Sequence, residues 1–215
     1  MIEVIGLNKS YSKKIVVNNY NKKFLDGYMY IFIGENGAGK STILRSLVDG
    51  KFPDSGEVKI DGRINTEFKS KYDIFYIEAN KNYFSYFTAS QYLKFVMKIY
   101  DNDFGIESEN KKGIIDYLNL QDFMYKKMDE LSSGTRQKFY IVAALLSGVK
   151  NLILDEPFSY LDTNTIDKVI GLFEEHIRKK KLIIFSTNRL DALPSYCSEI
   201  IRIGNSKFNE CKQLR

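Results

Sequence analysis

Apolar and polar positions alternate in short runs over the first third of the chain, and then the period changes. Residues 2–7, 16–25 and 28–33 are strand-like runs separated by polar turns, and 28–33 is apolar enough to be a strand buried on both faces. Residues 57–60 form another strand-like run, entered by the turn signal Pro53-Asp54-Ser55-Gly56 and left through Asp61-Gly62. The apolar run 74–77 predicts one more buried strand. From Ser85 to about Val149 the pattern is helical. Tyr92, Leu93, Phe95, Val96 and Ile99 recur at helix spacing, as do Ile114, Ile115, Tyr117 and Leu118, and the run 139–146 closes the stretch. A strand at 152–154 follows, then an amphipathic helix carrying Ile166, Val169, Ile170, Phe173 and Ile177, then strands at 182–185 and 200–203. No repeat, low-complexity tract or linker interrupts this order. The pattern predicts an α/β fold in a single domain, 1–215. Its β-containing core comes from residues 1–84 and 150–215, and a helical subdomain from about 85–149 is inserted between them.

Composition narrows the class without changing this picture. The 215 residues are 44% hydrophobic and 27% charged, ordinary for a folded soluble domain. No apolar run approaches the ~20 residues of a membrane helix, and the first five residues lack the basic and apolar regions of a secretory leader. The two cysteines, Cys197 and Cys211, lie far from any metal-ligand spacing, which fits a reducing compartment and argues against a disulfide framework or a zinc site. The net charge of +5 comes from scattered lysines with short clusters such as Lys179-Lys180-Lys181. A solvated surface explains it better than a nucleic-acid footprint does.

The chemistry is concentrated at Gly34-Glu35-Asn36-Gly37-Ala38-Gly39-Lys40-Ser41-Thr42, between a buried strand and a helix. This is the G-x-x-x-x-G-K-[ST] phosphate-loop pattern in its proper context. Glycines let the backbone approach an anion closely. The loop N–H groups and the positive end of the following helix then converge on phosphates. Lys40 is expected to reach the β- and γ-phosphates, with Ser41 as a Mg²⁺ ligand.

Leu152-Ile153-Leu154-Asp155-Glu156-Pro157 is an apolar strand ending in two carboxylates. Beside a phosphate loop, such a carboxylate holds Mg²⁺, usually through water, and that task is assigned to Asp155. Glu156 is then the catalytic residue that polarises the attacking water.

Leu131-Ser132-Ser133-Gly134-Thr135-Arg136-Gln137-Lys138 opens a helix shortly before that strand and resembles the Leu-Ser-Gly-Gly-Gln signature of ATP-binding cassette (ABC) ATPases. The resemblance covers nearly the whole chain. Tyr11 matches the aromatic on which these proteins stack adenine, Ser159-Tyr160-Leu161-Asp162 is similar to their D-loop, and Ser186-Thr187-Asn188-Arg189 sits at their switch. The resemblance implies a phosphate-loop core with an antiparallel β subdomain and a helical subdomain. It also implies a head-to-tail pair of cassettes, in which Ser132, Ser133, Gly134 and Asp162 complete the partner's ATP site. ATP-driven closure would then power transport through a separate membrane permease, with this chain on the inner face of the cell membrane.

The sequence departs from the family at three points. Asn188 stands where a histidine is usual; an amide donates a hydrogen bond but cannot become a cation, so slow hydrolysis is expected. The only histidine, His176, is expected to be exposed on its helix. Ser133 replaces the first signature glycine, and its side chain either crowds the partner's phosphate or strains the backbone. The third point is the Q-loop residue, which is either Glu78, a third metal ligand, or Ala79, which ligates nothing. The aromatic run 83–87 either walls the groove that receives a helix of the membrane subunit or belongs to the core. Glu78 and the signature run favour an exporter. The alternatives are a degenerate cassette that binds ATP with little hydrolysis as a structural or regulatory partner, and a soluble cassette acting on ribosomes or DNA. The latter usually has two cassettes or a long coiled-coil insertion, and this chain has neither.

Overall fold

The computed structural model describes residues 1–79, 81–100, 109–189, 193–194, 197–204 and 207–214. Ten strands are described: β1 (Ile2–Tyr11), β2 (Lys14–Phe24), β3 (Met29–Ile33), β4 (Ser55–Ile60), β5 (Arg63–Ile64), β6 (Ile74–Ile77), β7 (Asn151–Leu154), β8 (Leu182–Thr187), β9 (Cys197–Gly204) and β10 (Lys207–Leu214). The helices are α1 (Lys40–Val48), α2 (Phe68–Lys71), α3 (Ala89–Ile99), α4 (Glu109–Tyr117), α5 (Ser133–Leu146) and α6 (Thr163–Arg178).

Two sheets share the strands. One is antiparallel in the order β2-β1-β4-β5, and the other runs β10-β9-β3-β8-β7-β6. In the second sheet β9, β3, β8, β7 and β6 are parallel, and β10 joins β9 in the opposite sense. Parallel strands need crossovers and are covered on both faces, which the alternation of β3 displays. Met29, Ile31 and Ile33 pack with α3, α5 and α6, while Tyr30 and Phe32 pack with α1 and the antiparallel sheet. β8 is divided in the same way, Ile183 and Phe185 to one layer and Leu182 and Ile184 to the other. The parallel strands therefore end at one edge, where Ile33 pairs with Thr187 and Ile77 with Leu154.

The helices expected between 85 and 149 are α3, α4 and α5. Their buried residues, Leu93, Met97, Phe139 and Val142 among them, share one core cluster with β3, β7 and β8. β5, α2 and β10 are short or edge elements that the sequence pattern did not predict.

His176 corrects one expectation. It is 5% exposed, in the last turn of α6. Burial pushes its imidazole down to about 3, with the positive charges of Lys181 and Lys179 adding to the effect. Its Nε2 has no hydrogen-bond partner among the described residues.

Candidate functional site

At the end of β3 the chain turns into α1 through Gly39, which is left-handed at φ 111°. A Cβ at Gly39 would meet Val16 Cγ1 at 2.6 Å, so both conformation and space require glycine there. A helix leaves its first N–H groups without internal partners, and at α1 no side chain caps them and no acidic residue stands in the first turn. This is the bare, positive helix end that suits an anion. Lys40 is 6% exposed, and its ammonium donates to the carbonyls of Gly34 (2.8 Å) and Glu35 (3.2 Å).

The switch and carboxylate residues meet this loop, although β8 separates β3 from β7. Asp155, 1% exposed, follows β7, and its N–H donates to Ile77 O of β6. Ser186 Oγ donates to Asp155 Oδ1 and accepts from the N–H of Glu156 at 3.0 Å. Glu156 Oε1 lies 3.3 Å from Lys40 Nζ, and Oε2 accepts from the N–H of Asn188 at 3.2 Å. Asn188 Nδ2 donates to Asn36 Oδ1 at 3.3 Å. Glu156 itself sits at φ 50°, a left-handed backbone that costs a non-glycine residue about 1–3 kcal/mol and clusters at functional sites.

Six residues from three strand ends are thus linked: Asn36, Lys40, Asp155, Glu156, Ser186 and Asn188. Ser186 is the one whose part the sequence reading missed. It was visible only as part of the switch run, although it follows Phe185, which pairs with Leu154 immediately before Asp155. The oxygen donors of Ser41 and Asp155 suit Mg²⁺, which takes one or two protein ligands and completes its shell with water and phosphate.

Glu78 follows β6, and its Oε2 accepts from the Tyr83 hydroxyl at 2.7 Å; Lys81 lies 3.9 Å away. The neighbouring Tyr76 phenol is pushed above its ordinary range, first by burial and then by the charges of Asp155 and Glu78. Tyr11 is half-exposed at the end of β1, its ring 6.5 Å from that of Phe52.

The signature residues have different neighbours. Ser132 caps α5, its Oγ accepting from Thr135 N at 3.2 Å, and Asp162 caps α6 through Thr165 N at 2.8 Å. Those bonds to Thr165 hold the Asp162 carboxyl below the usual range. A Cβ on Gly134 would meet Tyr160 O at 2.6 Å. Ser133 is the first helical residue of α5 and is not among the residues with positive φ, so the backbone strain considered for it does not arise.

The aromatic run 83–87 is divided. Phe87 packs against the core, Tyr86 is exposed, and Tyr83 and Phe84 wall a groove of about 320 Å³ together with Phe75, Phe95, Ile99 and Tyr140.

Comparison with known proteins gives a consistent result. The family profile described as ABC transporter matches residues 17–159. The methionine import ATP-binding protein MetN of Legionella pneumophila (strain Lens) is 31% identical, covering 100% of this chain and 65% of its own length. The chain thus spans just under two thirds of that relative. The linearmycin resistance ATP-binding protein LnrL of Bacillus subtilis is 25% identical over 100% of this chain and 72% of its own. Among solved structures, an ATP-binding subunit of an ABC transporter superposes with a TM-score of 0.89 at 24% identity, covering 99% of this chain and 90% of its own. A dimeric ATP-binding cassette in a post-hydrolysis state, bound to ADP and Pi, gives 0.85 at 22% identity, over 100% and 99%. Both share this fold.

Proposed function

Because the chain belongs to the ABC transporter family, we propose that it is the ATP-binding and hydrolysing subunit of a transporter, working as one of two cassettes on a membrane permease. The observation that carries the reading is the meeting of Lys40, Glu156, Asn188 and Asn36 at one edge of the parallel sheet, beside the uncapped end of α1.

The geometry supports a division of labour. The N–H groups at the start of α1 and the Lys40 ammonium bind the phosphates, for which Lys40 exchanges its present carbonyl and carboxylate partners. Ser41 and Asp155 would hold Mg²⁺, which would supply charge neutralisation on the phosphate oxygens. Glu156 orients a water and takes its proton, and general-base action of this kind contributes about 10²–10⁴ in rate. Ser186 holds the Asp155 carboxylate and the backbone N–H of Glu156, and Asn188 offers its amide to the γ-phosphate. Tyr11 is the platform for the base. Ser132, Ser133, Gly134 and Asp162 face the partner cassette's nucleotide, and the groove at Tyr83 and Phe84 receives a helix of the permease, holding the chain to the inner face of the membrane. In this reading residues 85–149 are the helical subdomain inserted into the β-containing core.

The decisive experiment is a turnover assay on the purified chain with Mg·ATP, using Glu156→Gln as control. Release of phosphate that Glu156→Gln abolishes supports the reading, and failure to bind Mg·ATP overturns it. A second reading, a cassette that binds ATP with little hydrolysis, is favoured by Asn188 in the switch and predicts binding without turnover in the same assay. We take export as the direction, on Glu78 and the signature run, in keeping with the resistance protein among the relatives. MetN, named for methionine import, stands on the other side. Accumulation in vesicles reconstituted with the cognate permease decides between them.

A further inference from the structure

Tyr11, the ring read above as the platform for the base, has an aromatic neighbour whose own surroundings are charged. Phe52, in the loop between α1 and β4, holds its ring centroid 6.5 Å from that of Tyr11, with the planes tilted by 58°. Two cations meet the Phe52 ring. The Lys9 ammonium is 4.7 Å from its centroid and 5.6 Å from that of Tyr11, and the Arg45 guanidinium is 4.5 Å from it. Cations at such distances are attracted by the negative face of a ring, so side chains from β1 and from the last turn of α1 hold Phe52 in place. The loop is fastened at both ends as well. Phe52 N donates to Asp49 O at 3.0 Å where α1 finishes, and Asp54 N donates to Asn8 O of β1 at 2.9 Å. The Asp54 carboxylate then accepts from Lys9 Nζ and from Ser10 N, each at 2.7 Å.

We propose that Phe52 is a positioning residue for nucleotide binding: it sets the plane of the Tyr11 ring and, through Arg45, ties that ring to the helix whose other end receives the phosphates. The proposal rests on the reading of Tyr11 as the platform for the base and adds to it the residue that orients the platform. Tyr11 is 50% exposed and ends β1 just before a tight turn, pairing with Lys14 across Ser12 and Lys13. A half-exposed ring in such a place exchanges among rotamers, and a stacking base has to arrest it. Held between Phe52 and Lys9, the ring gives up that freedom before the nucleotide arrives, and less is lost on binding. Because Phe52 is anchored to α1 on one side and to β1 on the other, the base platform and the phosphate helix keep a fixed relation to each other.

The test is calorimetric titration of the full chain with Mg·ADP, which carries the base, and with Mg·tripolyphosphate, which does not. The chains compared are the parent, Tyr11→Ala, Phe52→Ala, Phe52→Tyr and the double variant Tyr11→Ala/Phe52→Ala. Phe52→Ala is expected to weaken ADP binding about fivefold or more, with tripolyphosphate affinity within about twofold of the parent. Phe52→Tyr, which keeps a ring, should bind ADP within about twofold of the parent. The double variant should bind ADP within about twofold of Tyr11→Ala, because Phe52 acts through Tyr11. Parent-like ADP affinity in Phe52→Ala overturns the proposal, and so does an equal loss for tripolyphosphate, which would make Phe52 a residue of the fold. Losses that simply add in the double variant overturn it too, since Phe52 would then act independently of Tyr11. If Tyr11→Ala binds ADP as the parent does, the platform reading fails and takes the proposal with it. If Phe52→Ala alone does so, the platform stands and only the proposal falls.

Discussion

The Lys40 ammonium and the Glu156 carboxylate face each other at 3.3 Å, so the cation proposed to bind phosphate and the acid proposed to accept a proton are partners in the same site. An anion bound at Lys40 competes with Glu156 for that ammonium, and the carboxylate it displaces is the one proposed to receive a proton.

Glu156→Gln is therefore expected to separate the two tasks. It removes the charge that holds Lys40 and leaves the side chain's shape, so nucleotide affinity should be kept or increased, while turnover falls by about 10²–10⁴ with the loss of the general base. Phosphate release and fluorescent-nucleotide titration on the same preparation check both halves. Lys40→Ala should instead lose binding.

Asn188→His should raise turnover by about tenfold, because an imidazole hydrogen-bonded to the γ-phosphate can also carry charge. The natural chain should lack an ionisation near 6.5 attributable to position 188, and the variant should acquire one. The pH dependence of kcat, measured for both, decides this. Equal rates would remove Asn188 from the hydrolytic step.

His176 makes the fold sensitive to acid. Its imidazole is pushed from 6.5 down to about 3 in the folded chain. Between those values the unfolded chain binds a proton that the folded chain does not, so stability is highest above pH 6.5 and falls as pH drops toward 3. The slope from this one group is at most about 1.4 kcal/mol per pH unit. Urea unfolding at pH 7.5 and 5.0 should show the loss, and His176→Leu should reduce the difference between the two.

Gly134→Ala should destabilise the chain by about 1–3 kcal/mol, since its methyl group would press on Tyr160 O at 2.6 Å, a backbone atom with no flexible end to yield. The thermal midpoint measures this directly. Ser133→Gly, at a helical position with no such contact, should leave the midpoint within about 1 kcal/mol of the parent, the cost of glycine in a helix.

Much of this arrangement was legible in the sequence because its signals are local. Buried strands read as apolar runs, and the phosphate loop carries its glycines and lysine within nine residues. What escaped was set by packing between distant segments. Asn36 and Asn188 are 152 residues apart, and only the placement of β8 beside β3 brings them together. His176 was misread because its polarity outweighed its position, although it lies three residues after Phe173 and seven after Val169, on the same buried helical stripe. β10 is an edge strand whose pairing with β9 has no strong apolar alternation to announce it.

A single oxygen atom at residue 186 answers to both acidic residues, giving its hydrogen to the Asp155 carboxylate and accepting one from the backbone of Glu156. A change at this residue therefore reaches the Asp155 side chain and the Glu156 main chain together. Alanine there would release the Asp155 carboxylate and the Glu156 N–H in one stroke, leaving threonine as the only other aliphatic alcohol among the standard side chains. Any redesign of this edge of the sheet has to keep a hydroxyl at 186 or find new anchors for two consecutive residues at once.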